Sequence, residues 1–269
     1  MAKLMRSLYT RKGREKNGLV PVEGIRFVSE ALSAARRGVT AVEALFYEAG
    51  FNEKGPEQQA LLEAAGTAAR QIFCCSPSVF RQLTSTETPQ GIAAAVTRPV
   101  FPQHSSCGRE FYLVVDRVQD PGNLGTMIRT AAAAGVDGVL CLKGTVDPFN
   151  PKALRATMGA VFRVPITFYS GSQELLEELS GRGCRLIAAD IDGEQYHFEA
   201  NYSGCIGIVV GNEGQGIDPG LLSAAAVRVR IPLALGVESL NAAVACGILL
   251  YEAVRFRHLE GTALSGPAP

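Results

Sequence analysis

Apolar residues fall at helical spacing through 23–32, and short apolar runs follow at 42–47, 71–75 and 91–96. The first pattern predicts an amphipathic helix and the runs predict strands. The alanine-rich stretch 55–70 predicts a second helix, and 79–83 a brief third. Together they describe a small α/β unit. From 111 onward the alternation becomes regular. Strands are expected at 111–116, 136–142, 164–168, 185–190, 206–210 and 227–233. Helices are expected between them at 124–134, 150–160 and 173–179, and a long apolar helix ends near 254. Gly135 stops the helix at 124–134, and Glu238 or Ser239 is placed to cap the last helix or sit in its first turn. Strands alternating with helices predict a mostly parallel sheet covered on both faces, Rossmann-like on pattern alone.

The two patterns meet at 98–109, where Pro99 and Pro102 precede the polar Gln103, His104, Ser105 and Ser106. Such a stretch reads as a domain boundary. The chain therefore divides into 1–97, a linker at 98–109, and 110–269. With 269 residues, 47% hydrophobic and 19% charged, it can bury a substantial core. No apolar run reaches the ~18 residues of a membrane span. Residues 1–6 lack the apolar centre of a signal peptide, so a cytoplasmic location is expected. The seven cysteines show no C-x-x-C spacing, and Cys74 and Cys75 are adjacent. Buried free thiols fit this better than disulfides or zinc. His104, His197 and His258 lack ligand spacing and read as surface or structural residues, so no metal site is expected. Formal net charge is zero, but the first twenty residues hold Lys3, Arg6, Arg11, Lys12, Arg14 and Lys16 against Glu15 alone. Such a basic arm either neutralises nucleic-acid phosphates or is a solvated, frayed terminus.

Candidate chemistry is densest after the strand at 206–210. That strand stops at Gly211-Asn212-Glu213-Gly214-Gln215-Gly216, and the next leads into Ile231-Pro232 and then Ser239-Leu240-Asn241. Glycine lets a backbone turn tightly and lets a ligand approach it. In open α/β sheets ligands sit beyond the carboxyl ends of strands. Taken singly, each loop is also an ordinary turn. A third segment, after the strand at 111–116, has Asp116, Pro121, Asn123, Gly125 and Arg129 in the order D-x-x-x-x-P-x-N-x-G-x-x-x-R.

These three segments, in this order, resemble the SpoU (TrmH-like) family of RNA ribose 2′-O-methyltransferases of the SPOUT superfamily. Asn212, where serine is frequent in the family, and Leu233, where methionine is common, are small departures that leave Glu213 and Ile231-Pro232 in place. The N-terminal part resembles the substrate-binding domain that precedes many SpoU catalytic domains, through Val22-Glu23-Gly24, Ala31-Leu32 and Thr88-Pro89-Gln90-Gly91-Ile92. The resemblance implies a ribosomal-protein-like α/β domain that helps hold RNA, followed by an α/β domain with a C-terminal trefoil knot. It also implies a homodimer packed through the knotted regions, where Leu240, Val244, Ile248 and Tyr251 of the last helix would serve both core and dimer.

The reaction implied is methyl transfer from S-adenosylmethionine to a ribose 2′-hydroxyl, with ribosomal RNA favoured over tRNA by the extra N-terminal domain. The methyl is already activated on a sulfonium, so the chemistry needs alignment and help with a proton rather than a metal. Gly211, Ile231 and Leu240 would contact the cofactor largely through backbone groups, with Leu235 and Gly236 on the connecting loop. Ile231 and Leu240 also read as plain core residues. Arg129 is the first catalytic candidate. A guanidinium stays protonated and grips phosphate or ribose oxygens, so it is a poor base; a part in activating the hydroxyl with help from an RNA phosphate stays open. Asn123 and Asn241 would orient groups by hydrogen bonding. Glu213 would order its loop, hold Arg129 or receive a proton, and Ser239 would join the site. Lys143, Lys152, Arg155 and Arg163 are candidate phosphate contacts. Other readings are a tRNA methyltransferase, a non-catalytic RNA-binding protein of the same fold, and a nucleotide-dependent oxidoreductase. Against the last, no G-x-G-x-x-G follows the strand at 111–116.

Overall fold

The computed structural model describes residues 1–102 and 108–261. The linker residues Gln103, His104, Ser105 and Ser106 lie outside them. Contacts divide the chain into two compact units, Met1–Phe101 with Pro148–Arg163, and Pro102–Asp147 with Val164–Pro269.

The first unit opens with helices α1 (Ala2–Ser7) and α2 (Arg11–Asn17), then β1 (Leu19–Glu23), α3 (Ile25–Arg36), β2 (Val42–Glu48), α4 (Pro56–Ala68), β3 (Ile72–Cys75), α5 (Pro77–Leu83) and β4 (Ile92–Thr97). The sheet order is β1-β4-β2-β3, with β4 antiparallel to both neighbours and β2 parallel to β3. Helix α3 buries Phe27, Val28, Ala31 and Leu32 on one stripe, as its spacing predicts. Each large side chain so buried contributes about 1.5–3 kcal/mol.

The basic N-terminus is a packed element, which corrects the expectation of an arm or frayed end. Thr10 caps α2 by accepting from Gly13 N at 3.1 Å, and Gly18 ends it at φ 65°. Met5 and Leu8 are fully buried against Phe46, Phe80 and Leu83. Arg14 is 2% exposed and donates to Leu8 O at 3.0 Å, so it is not available to phosphates. The charge pattern hid two apolar residues, one turn apart, that anchor the segment.

In the second unit β5 (Phe111–Val115), α6 (Pro121–Ala133) and β6 (Gly138–Leu142) come first. The chain then supplies α7 (Pro151–Thr157) to the first unit, where the sequence division had assigned 148–163 to the C-terminal part. The bonds of that stretch explain its place: Arg163 is paired with Glu30 at 2.8 Å, Arg37 donates to Phe162 O at 3.3 Å, and the Phe27 and Phe162 rings lie 5.8 Å apart. The second unit continues with β7 (Ile166–Tyr169), α8 (Ser172–Gly181), β8 (Arg185–Ala189), β9 (Gln195–Tyr196), β10 (Ile206–Val210), α9 (Pro219–Ala224), β11 (Val227–Arg230) and α10 (Ala242–Leu259).

Its seven strands run in the order β7-β6-β5-β10-β8-β11-β9, all parallel. The central strands β5 and β10 are buried at every position, which accounts for their unbroken apolar runs. Short β9 and α9 were not foreseen, since two and six residues carry too little periodicity. The last helix begins with Asn241 as its cap, accepting from Ala243 N at 2.9 Å and Val244 N at 3.3 Å, so neither Glu238 nor Ser239 caps it. The thiols also differ from expectation. Adjacent parallel strands bring Cys184 and Cys205 to a Cα separation of 4.5 Å, where they are paired as a disulfide, and Cys74 is exposed. Cys141 and Cys246 are free and buried as expected, and burial pushes each thiol up to about 12. Among the described residues no helix is long and apolar enough to cross a membrane.

Candidate active site

The carboxyl ends of β5, β10 and β11 carry the three motif segments. At the end of β5, Asp116 N donates to Val210 O at 2.9 Å, which ties this strand end to that of β10. The Asp116 side chain is 1% exposed and takes both oxygens to Arg117, at 2.9 and 3.0 Å. Its Oδ2 also accepts from Asp218 N at 2.7 Å. Arg117 in turn donates to Gln215 Oε1 at 3.3 Å and Gly216 O at 3.4 Å. Bonding to the carboxylate raises the Arg117 pKa above its ordinary value. A buried carboxylate thus clamps the glycine loop through one arginine.

Arg117 has φ 57°, the left-handed region that non-glycine residues avoid. Three bonds hold it there: its N donates to Thr145 Oγ1 at 3.0 Å, and its carbonyl accepts from Asn212 Nδ2 at 2.8 Å and Gln119 Nε2 at 3.2 Å. Backbone strain of this kind persists where surrounding bonds over-determine it.

The glycine loop is organised by Asn212. Its Oδ1 accepts from Gly214 N and Gln215 N, both at 2.9 Å, while its Nδ2 reaches Arg117 O. Its backbone N and O each bond Gly216 at 3.0 Å. The departure from serine at this position is therefore the residue that closes the loop, and a serine hydroxyl is too short to make both sets of bonds. A Cβ on Gly211 would lie 2.5 Å from the Gly216 carbonyl carbon, so only bare backbone closes here. Gly211→Ala should cost about 1–3 kcal/mol by forcing the loop apart. Denaturant unfolding of the variant measures that loss.

Asn123, Glu213 and Asn241 come together across 118 residues of chain. Asn123 Nδ2 donates to Glu213 Oε1 at 2.9 Å, and Asn241 Nδ2 donates to Asn123 Oδ1 at 3.0 Å. Asn123 is itself set by the N-cap Asp120, whose Oδ1 accepts from its backbone N at 2.8 Å. One amide–amide–carboxylate chain thereby joins the start of α6, the glycine loop and the start of α10. Asn123 is the link, donating through Nδ2 and accepting through Oδ1, so its amide is oriented from both sides.

Arg129 and Ser239 stand apart from this chain. Arg129 lies on α6, exposed, and makes no hydrogen bond or ion pair among the described residues, so its guanidinium is free for a ligand. It is not held by Glu213, one of the three roles weighed for that carboxylate. Ser239 is exposed on the segment before α10. Of the cofactor candidates, Gly211 and Ile231 are half-buried at the ends of β10 and β11. Leu235 is fully exposed, and Leu240 is exposed, as is the neighbouring Val237. Gly236, at φ 83°, allows the turn in which Val237 N donates to Ala234 O at 3.1 Å. Bare backbone beside uncovered apolar side chains suits a ligand with a flat apolar part and polar edges. Lys143 is exposed, Arg155 donates to Ser85 Oγ at 3.0 Å, and Arg163 is occupied by Glu30. Sequence reasoning missed Arg117 and the part played by Asn212; the only signal was their position beside motif residues.

Residues 110–251 match the SpoU rRNA methylase family, and residues 2–94 match the MRM3-like substrate binding domain. The chain is 34% identical over 256 residues to the 23S rRNA (guanosine(2553)-2′-O)-methyltransferase RlmP of Bacillus subtilis, covering 95% of this chain and 94% of that one. Among solved structures it is similar to the AdoMet-bound rRNA methyltransferase from Sinorhizobium meliloti, with a TM-score of 0.79, 31% identity and 94% of each chain covered. It is similar also to the SpoU methyltransferase AviRb from Streptomyces viridochromogenes in complex with AdoMet, with a TM-score of 0.83, 26% identity, and 96% and 97% of the two chains covered.

Proposed function

The chain belongs to the SpoU rRNA methylase family, and on that premise we infer that it transfers the methyl group of S-adenosylmethionine to a ribose 2′-hydroxyl of ribosomal RNA. The observation that carries the reading is the side-chain chain Asn241–Asn123–Glu213, because it unites all three motif segments at the strand ends where ligands bind. When bound, S-adenosylmethionine supplies a methyl already activated as a sulfonium. Gly211, Ile231 and Leu240 would hold it by backbone groups, with Leu235 and Gly236 beside them. Arg129 would grip an RNA phosphate or ribose oxygen and fix the reacting sugar. Asn123 and Asn241 keep Glu213 in one orientation, where its carboxylate can take the proton that leaves the hydroxyl. Ser239 would contribute a hydroxyl at the edge of the same site.

In this reading the first unit holds the RNA, and Lys143, Lys152 and Arg155 are candidate phosphate contacts. The reading extends to a trefoil knot, a homodimer and a cytoplasmic location. Support for the knot is the strand order, in which β10 lies between β5 and β8. Support for the dimer is the exposure of Val244 and Tyr251, seven residues apart on α10, beside the exposed Leu240. Sedimentation should give twice the chain mass for the wild type, and the chain mass for Val244→Asp with Tyr251→Asp. The function is tested by incubating the protein with labelled S-adenosylmethionine and ribosomal RNA lacking its modification. Label should enter RNA at a single 2′-oxygen; binding of the methyl donor without transfer would point to the non-catalytic alternative.

A further inference from the structure

The first unit contains a cavity of about 260 Å3 lined by no residue of the three motif segments. It opens between the β1–α3 corner, the stretch 84–90 and the end of α7. Phe27, Ile92 and Pro89 supply apolar lining, and Met158 stands at its edge, 39% exposed and at φ 50°. The polar side is tied together by hydrogen bonds. Glu23 Oε1 accepts from Ser85 N at 3.0 Å and Ser85 Oγ at 2.9 Å, its Oε2 accepts from Thr86 Oγ1 at 3.0 Å, and Arg155 donates to Ser85 Oγ at 3.0 Å. That carboxylate is therefore occupied within the wall. Gln90 Oε1 accepts from Ile25 N at 2.8 Å, which fixes the amide and leaves its Nε2 hydrogens without a partner among the described residues. A Cβ on Gly24 would meet Gln90 Oε1 at 2.8 Å, so the glycine preserves this arrangement. Arg26 lines the cavity, is exposed, and has no ion-pair or hydrogen-bond partner among the described residues.

A cavity with apolar lining, an amide donor held by Ile25 N and a cation free of partners among the described residues suits a flat, hydrogen-bonding ring attached to a phosphate. RNA offers that ligand wherever a base is unstacked, since unpaired bases are recognised by stacking and by their edges. We propose that this cavity receives one unpaired nucleotide of the RNA substrate. The base lies against Met158 and Pro89, Gln90 Nε2 donates to a base acceptor, and Arg26 meets the adjoining phosphate. The inference rests on the RNA methyltransferase reading and adds how the first unit chooses its RNA: by an extruded base rather than by duplex shape.

The test uses the full chain with two probes, a single-stranded RNA 12-mer and the duplex of the same sequence. Gln90→Glu keeps an acceptor for Ile25 N and removes the donor; Arg26→Ala removes the cation from an exposed position. Each should weaken binding of the single strand about tenfold, as expected for one stacked and bonded base, and leave the duplex within about twofold. S-adenosylmethionine affinity should not change in either variant. Ultraviolet crosslinking of the same 12-mer carrying 4-thiouridine should give adducts on Phe27, Gln90 or Met158. Equal losses on both probes, no loss on either, or adducts only outside the cavity would overturn the proposal. So would wild-type binding of AMP or UMP as tight as that of the 12-mer, which would mark a small-molecule site. Methyl transfer to unmodified ribosomal RNA by the wild type is scored separately. Its absence strikes the parent reading, whereas its presence with insensitive variants strikes the cavity alone.

Discussion

Arg129→Ala is expected to lower kcat for RNA methylation by about 10²–10³-fold, the loss typical when one preorganised charged or hydrogen-bonding group is removed from a reacting centre. Affinity for S-adenosylmethionine should stay nearly unchanged. The asymmetry follows from position. Arg129 is exposed on α6 and bonds nothing among the described residues, so removing it leaves no buried partner unsatisfied and should not disturb the fold. Nor does it belong to the loops after β10 and β11 that are assigned to the cofactor. Single-turnover methylation, calorimetric titration of the methyl donor and a thermal melt on the same variant separate the three quantities. Arg129→Lys restores charge but not the planar fork, so it should recover only part of the rate. Full activity of the alanine variant would remove Arg129 from the mechanism, and a matching loss of donor affinity would move it into the cofactor site.

Asp116→Ala should be the most destabilising single change at the site, by about 3 kcal/mol, the lower end expected for breaking one side of a buried pair. The lower end is appropriate because the Arg117 side chain is 29% exposed and water can solvate it once abandoned. Three attachments fail together: the two bonds to Arg117 and the one from Asp218 N. Arg117 then loses the carboxylate that aims it at Gln215 and Gly216. Donor binding should therefore fall along with stability, unlike in the Arg129 variant. Denaturant unfolding together with titration of S-adenosylmethionine checks both. Asp116→Asn, which keeps the shape and one acceptor, should lose less on each measure. Donor affinity that survives intact in the alanine variant would mean the glycine loop holds itself without the clamp.

Arg129 and Asp116 both belong to one spaced motif, and the resemblance marked Arg129 for chemistry. Nothing in the spacing said that Asp116 would be buried, or that its neighbour Arg117 would carry the load across to Gly216, 99 residues later. Asn212 shows the same limit from the other side. As a letter it was a mild departure, whereas its carboxamide makes three side-chain bonds that close the loop. The N-terminal segment was misread for a related reason. Its charges are visible in the sequence, but the burial of Met5 and Leu8 depends on Phe46 and Phe80, supplied by distant elements.

Local signals were enough for most of the alternating strands and helices and for the continuously buried β5 and β10. Strand and helix periods are properties of neighbouring residues, so a linear reading recovers them. Tertiary structure alone decided that 148–163 joins the first unit, that Asn241 rather than Glu238 or Ser239 caps α10, and that Asn123, Glu213 and Asn241 share one line of hydrogen bonds. Each of those outcomes depends on which donor meets which acceptor across tens of residues or more, or on which of several competent caps the packing of a helix leaves in place. Hydrogen bonds act over about 3 Å, and a sequence does not state which distant groups the fold will bring that close.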